Sequence, residues 1–338
     1  MPSLTTLNDF RNLLNDLPGP DAAAENAVMV REPQLTKPPG SLGRLEQLAL
    51  WLARWQAVPA PKADHIEAHV FAGNHGITAQ GVSAYPPEVT VQMVANFEHG
   101  GAAINQLCKT FDVDLQVHPL ELESPTADFS HHPAMTETEC VAALNCGMEQ
   151  VKDNIDVLCL GEMGIGNTTA AAAICHALYD QDAAFWTGPG TGVEGDALSH
   201  KAAVIAGAVK FHKPGIKDGL DILCRLGGRE LAAIAGAIVA ARLKRVPVLL
   251  DGYVCTSAAA VLTRPQAGAL DHCRIAHVSA EPGHIRLAHE LGQKPLLDFD
   301  MRLGEASGAV LSVGLVKAAA NCHNGMATFA EAGVTDKE

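Results

Sequence analysis

A few polar side chains stand where chemistry could use them. Glu305 lies in Met301-Arg302-Leu303-Gly304-Glu305-Ala306-Ser307-Gly308, between glycines and just ahead of the apolar, small-residue run 309–320. That run reads as a helix, which puts Glu305 at or near its N-terminus. Two roles are open there. The first N–H groups of a helix need acceptors and the helix dipole favours a carboxylate, so Glu305 can be structural. Flanking glycines let a ligand approach the backbone closely, so Glu305 can equally be a base that takes the ligand's proton.

Glu162 opens the second constellation, Gly161-Glu162-Met163-Gly164-Ile165-Gly166-Asn167-Thr168-Thr169, directly after the apolar run 157–160. A carboxylate at the end of a buried strand must find partners. Glycines followed by hydroxyls at a helix start make an anion site, or a plain cap on a tight strand–helix turn. Gly164, Gly166 and Thr169 do not match G-x-G-x-x-G, and the P-loop lysine is missing, which weighs against classical dinucleotide and ATP sites. A second glycine-rich loop, Thr187-Gly188-Pro189-Gly190-Thr191-Gly192, precedes Ser199-His200-Lys201. Lys201 is there either an anion ligand or a solvated surface lysine.

Further strand ends carry polar groups. Asp251 follows 246–250, where it could hold a ribose hydroxyl or cap the next element, and Ser279 follows 275–278, where it could donate to phosphate. Gly73-Asn74-His75-Gly76 closes an earlier run; His75 reads as a ligand or as a hydrogen-bonded structural histidine. Tyr85 and Met93 could line an apolar slot for a planar ring, or simply pack. The pairs His272/His277 and His284/His289 lack metal-site spacing, and no G-x-S-x-G elbow is present, so neither a metal centre nor a serine hydrolase is expected.

The elements that must position these residues follow from periodicity. Short Val/Ile/Leu-rich runs at 68–72, 113–117, 157–160, 246–250 and 275–278 alternate with Ala-rich helical segments at 170–179, 198–211, 230–243 and 256–262. Buried strands alternating with helices predict an α/β, doubly wound parallel sheet with flanking helices. In such sheets ligands bind beyond the carboxyl ends of the strands, where the residues above fall. Helices are also expected at 21–31 and 41–55, the second starting at Ser41, and again after Glu305. Residues 1–60 with about 305–338 therefore read as a small helical domain, and 61–304 as the large α/β domain.

Bulk properties narrow the classes. At 338 residues, with 48% hydrophobic and 18% charged residues, the chain can build a sizeable core. A formal charge of −14 argues against a sequence-independent nucleic-acid binder but not against a phosphate-bearing small molecule. The nine cysteines form no C-x-x-C pair and sit largely in apolar runs, as reduced core thiols of a cytoplasmic protein do. No signal peptide and no apolar run of membrane-spanning length is read.

The ordered set Lys37-Pro38-Pro39-Gly40-Ser41-Leu42-Gly43-Arg44-Leu45-Glu46, Gly161-Glu162-Met163-Gly164 with Asn167-Thr168-Thr169, Pro247-Val248-Leu249-Leu250-Asp251-Gly252, Ser279-Ala280-Glu281, and Met301-Arg302-Leu303-Gly304-Glu305 resembles the nicotinate-nucleotide:dimethylbenzimidazole phosphoribosyltransferases of cobalamin assembly. The resemblance runs from about residue 14 to about 332. It implies a Rossmann-like fold, a homodimer, and no cofactor or metal. It also implies transfer of phosphoribose from nicotinate mononucleotide to a benzimidazole-type base with inversion. By resemblance Glu305 is the general base, with Glu162 and Lys201 beside it as catalytic residues. Phosphate and ribose would lie among Gly164, Thr168, Thr169, Gly190, Lys201 and Ser279, and the base would stack near Tyr85, Met93, Leu303 and Glu305. Asn167, Thr191, Asp251, His75 and Gly304 are expected to complete the substrate-binding set.

Some members carry Asp-His-Gly where this chain has Asn74-His75-Gly76, and Ser and Gln where Tyr85 and Met93 align. The pocket is thus less polar, and a phenolic or purine base stays open beside a benzimidazole. Two other functions compete: a nucleotide-binding regulatory module without chemistry, which leaves Glu305 and Glu162 without a role, and a hydrolase of nicotinate mononucleotide, which product analysis distinguishes.

Overall fold

The computed structural model describes residues 4–179 and 181–336. Its strands are β1 (Ile66–Ala72), β2 (Asp114–Pro119), β3 (Val157–Met163), β4 (Val248–Leu250), β5 (Cys273–Ile275), β6 (His277–Val278) and β7 (Leu297–Asp298). The helices before β3 are α1 (Leu7–Asn15), α2 (Ala22–Arg31), α3 (Arg44–Gln56), α4 (Glu88–Glu98), α5 (Ala103–Phe111) and α6 (Glu137–Gln150). After it come α7 (Asn167–Leu178), α8 (Ala183–Trp186), α9 (Gly195–His212), α10 (Gly219–Leu226), α11 (Arg229–Leu243), α12 (Tyr253–Ala260), α13 (Gly283–Glu290), α14 (Ser307–Gly325) and α15 (Phe329–Ala332).

Five strands form one parallel sheet in the order β2-β1-β3-β4-β5, and β6 and β7 pair separately. The apolar run at 275–278 is therefore two strands. Ala276 breaks it by donating to Leu250 O at 2.8 Å while accepting from Leu297 N at 2.9 Å.

Alternation along the strands assigns the faces. Val157 and Cys159 of β3 join Trp51, Trp55, Ile104, Val310 and Val313 in one core, under α3, α5 and α14. Leu158 and Leu160 point the other way, into the larger core that holds α6, α7, α10, α11 and α12. Helix α11 is buried over nearly its whole surface and is thus a core helix rather than an amphipathic one. It touches α6 backbone to backbone: Gly147 faces Ala233 and Gly236 faces Leu144, with no room for a side chain at either glycine.

The terminal segments divide. Arg31 donates to His323 O (3.1 Å) and Met326 O (3.0 Å), and Leu35 forms a β-bridge with Thr328, which joins α2 to the end of α14. Leu7, Phe10 and Leu14 of α1 instead pack into the core on the opposite face, with α6. Helix α3 begins at Arg44 rather than Ser41, because turns closed by Ser41 N→Pro38 O and Gly43 N→Gly40 O occupy that stretch. The motif around it is a structural hub. Lys37 Nζ lies 2.7 Å from Glu46 and 2.9 Å from Glu32, and Arg44 donates to the carbonyls of Pro295 and Lys294. Among the described residues no helix is long and apolar enough to cross a membrane.

Candidate active site

The chain runs outward from β1 to β2 on one side and from β3 to β4 and β5 on the other, so the strand order reverses between β1 and β3. Ligands of open α/β sheets bind at such a switch, beyond the carboxyl ends of the strands. A cavity of about 700 Å³ opens there, a size suited to a small molecule. Glu162, Met163 and Gly164 reach it from β3, Gly252 from the end of β4, and His277 and Ser279 from β6 and its exit. Of the residues singled out above, Tyr85, Met93, Asn167, Thr168, Gly190, Thr191, Leu303, Gly304 and Glu305 also line it. Tyr85 and Leu303 are 55% and 56% exposed, which puts both at its mouth.

Four others stand behind the lining. Lys201 is buried, with Nζ donating to Thr168 Oγ1 (2.9 Å) and Gly188 O (3.0 Å), so it braces the anion loops from beneath. Burial lowers its pKa to about 8, with Glu281 pulling the other way. Thr169 is buried and its hydroxyl has no partner. His75 is buried and pairs through Nε2 with Glu230. Asp251 is buried and accepts from Gly308 N and Ala309 N, so it caps α14 and not the next element, α12, which has no side-chain cap.

Glu305 sits in an unusual turn. Gly304, Glu305 and Ala306 have φ of 85°, 63° and 60°, three successive left-handed residues. For a residue with a Cβ this costs about 1–2 kcal/mol, a strain that persists only when the surroundings enforce it. Glu305 N donates to Glu162 O (3.1 Å) and Ser307 N to Gly304 O (3.0 Å). The helix starts only at Ser307, so Glu305 lies ahead of its first turn and does not cap it. Arg302 turns away, donating to Gly190 O at 2.8 Å. Two influences dominate the Glu305 pKa. Burial, then the negative charge of Asp251, raise it to about 7, and Oε2 has no hydrogen-bond partner.

Glu162 is more extreme. Burial, followed by the charges of Asp251, Glu230 and Glu305, pushes its carboxyl well above the usual range, although Asn167 donates to it. Burial and the neighbouring carboxylates thus both disfavour the ionised form of Glu162.

Residue types and spacing gave no role to Glu230 or Glu281, which the fold brings to the site. Glu230 opens the helical segment 230–243 and, in the first turn of α11, pairs with His75. Glu281 accepts from Gly190 N at 3.0 Å and lines the cavity with Arg302 and His277. The strand-end rule that selected Ser279 would have selected Glu281 two residues on. Thr191 Oγ1 accepts from Ala84 N (3.1 Å) and bonds Ser83 Oγ (3.0 Å), which ties the glycine loop to the segment carrying Tyr85.

Glycine-rich loops and a buried carboxyl cluster meet at a parallel-sheet switch point, an arrangement suited to an enzyme that binds a small molecule. A family model described as phosphoribosyltransferase matches residues 17–334. The nicotinate-nucleotide–dimethylbenzimidazole phosphoribosyltransferase of Rhizobium etli (strain CIAT 652) is 57% identical over 98% of this chain and 97% of its own length. That of Rhizobium meliloti (strain 1021) is 55% identical over 98% of both chains. The crystal structure of CobT from Thermus thermophilus superposes with a TM-score of 0.87 at 39% identity, over 93% of this chain and all of that one. The chain belongs to the nicotinate-nucleotide–dimethylbenzimidazole phosphoribosyltransferase family.

Proposed function

We propose that this enzyme transfers the phosphoribosyl group of nicotinate mononucleotide to 5,6-dimethylbenzimidazole or a related base, giving α-ribazole 5'-phosphate and nicotinate for the lower ligand of cobalamin. The observation that carries the chemistry is a buried, hydrogen-bond-poor Glu305 carboxyl on the wall of a cavity that also has apolar lining from Tyr85, Val89, Met93 and Leu303. One ring nitrogen of the base attacks C1 of the ribose, and the C1–nicotinate bond breaks on the opposite face, which inverts the linkage. The second ring nitrogen then gives up its proton, and Glu305 takes it. The Thr168 hydroxyl, the Gly190 loop and Arg302 hold the phosphoribosyl end, with Lys201 fixing the first two. Glu162, held by Asn167 and with its charged form disfavoured by burial, lines the cavity beside Glu305. The reading includes a cytoplasmic homodimer whose second subunit covers Tyr85 and Leu303 at the mouth.

Incubating the protein with nicotinate mononucleotide and a panel of benzimidazoles, phenols and adenine, with products identified by mass, tests the reading. A base-linked riboside phosphate is expected. Ribose 5-phosphate as the sole product, with or without base, would replace the transferase by a hydrolase.

The acid limb of the pH profile follows from Glu305. A base must be ionised, and a carboxyl raised to about 7 is protonated as the pH falls through that value. The acid limb of kcat/KM should therefore have its midpoint near 7, not in the ordinary carboxylate range. A limb near pH 4 to 5 (roughly the free Glu value) would contradict this assignment.

Lys201→Met should raise KM for nicotinate mononucleotide about 10-fold or more, because two charge-assisted hydrogen bonds under the cradle are lost. Unchanged nucleotide affinity by calorimetry would remove Lys201 from the binding machinery.

A further inference from the structure

Asp251 is fully buried at the end of β4 and does not line the cavity. Its Oδ1 accepts from Gly308 N (2.7 Å) and Ala309 N (3.0 Å) and lies 3.4 Å from His277 Nε2. Helices ordinarily take their cap from the residue just ahead of them. Here that residue is Ala306, which has no side-chain acceptor, so the first turn of α14 is capped from the sheet. The cap falls directly after the left-handed pair Glu305 and Ala306 and so pins that turn to β4.

His277 completes the arrangement. Its Nδ1 lies 3.0 Å from Val278 O, and its Nε2 lies 3.4 Å from Asp251 Oδ1 without a hydrogen bond. Burial disfavours a charged ring, but Asp251, with Val278 O and Asp298 of β7, outweighs it and raises the His277 pKa. The other titratable groups acting with Asp251 are Glu162 and Cys159 from β3, Cys255 from α12, and Glu305 itself. His284 stands behind His277, with ring centroids 6.4 Å apart. Within this set His277 is the sole group suited to carry positive charge.

We propose that Asp251 is the positioning residue of this reaction: it fixes the Glu305 turn by capping α14 from β4 and, paired with His277, places a fixed negative charge beside the Glu305 carboxyl. The proposal rests on the reading of Glu305 as base for its effect on turnover, but not for its effect on the Glu305 carboxyl itself.

The test compares Asp251→Asn, which keeps an oxygen acceptor for the two N–H groups, with Asp251→Ala, which does not. Glu305 is titrated by carbon-detected NMR in the free protein, and kcat and KM are measured across pH. In Asp251→Asn the Glu305 midpoint and the acid limb should move down together by about one pH unit, with turnover on the alkaline plateau changed only a few-fold. Asp251→Ala should lose roughly 10²-fold in kcat with little change in the nucleotide KM, because the turn is released. His277→Gln leaves the cap in place and removes the counter-charge, so it should move the Glu305 midpoint up. This variant keeps the test decisive if Asp251→Ala does not fold. A Glu305 midpoint unmoved by Asp251→Asn and by His277→Gln overturns the proposal. If the midpoint moves but the acid limb does not follow, the charge coupling stands and the base reading of Glu305 fails instead.

Discussion

Glu305→Gln should cut turnover by roughly 10² to 10⁴, the usual worth of a positioned general base, with nucleotide affinity almost unchanged. Glutamine preserves the size and the left-handed turn, whose hydrogen bonds come from backbone Glu305 N and from Asp251 rather than from the Glu305 side chain. The wild-type carboxyl makes no internal hydrogen bond through Oε2, so little packing or bonding is lost on substitution. What disappears is the ability to accept a proton. The measurement is single-turnover rate with saturating base and nucleotide, where product release does not mask chemistry. A variant within a few-fold of wild type would show that placing the two substrates against each other suffices and that no residue need take the proton in the rate-limiting step.

The second large effect is expected from a residue with no chemistry at all. Gly161 lies in the middle of β3, where a β-branched residue would ordinarily be welcome. A Cβ at this position would run into the backbone N and Cα of Ala306. Gly161→Val must therefore push the Glu305–Ala306 turn off the sheet. A shift of about 1 Å at a reacting group can cost roughly 10² in rate, and overpacking a tight site costs about 1–3 kcal/mol of stability. We expect kcat to fall about 10²-fold and thermal stability to drop, with the nucleotide KM less affected. Gly207→Ala is the matched control, because a Cβ there meets nothing within 4 Å. Equal behaviour of the two variants would show that the contact between β3 and the turn does not control the site.

Much of the architecture was legible because its signals are local. An apolar run such as 157–160 has the same meaning wherever it occurs, and its alternation alone sends Leu158 and Leu160 to one core and Val157 and Cys159 to the other. Helices 170–179 and 230–243 are equally plain; the first starts earlier, at Asn167, and the second just one residue earlier, at Arg229. The strand-end rule picked out Glu162, Thr168 and Ser279, which all line the cavity, because carboxyl ends of parallel strands converge on one edge of the sheet. Ser41 misled as a helix start because its hydroxyl is a local signal, whereas the turns at 38–43 are set by the Lys37–Glu46 contact.

Other features were settled by contacts between residues far apart in the chain. Glu230 reads only as the start of a helix until α11 sets it against His75, just beyond β1. Asp251 reads equally as a ribose ligand or a cap, and the helix it caps begins far downstream, at Ser307. Lys201 reads as a surface lysine or an anion ligand, and the structure buries it, with its ammonium donating to Thr168 Oγ1 and Gly188 O. Glu305 changes most. Its place between glycines was enough to mark it as a carboxyl in reach of a ligand. Its proton affinity was not, because that depends on which charges surround it and how much water remains. Residue order governs backbone periodicity and the chemistry of each side chain. Desolvation and the field of Asp251, which lift Glu305 into the neutral range, exist only once the sheet, α14 and the turn between them are assembled.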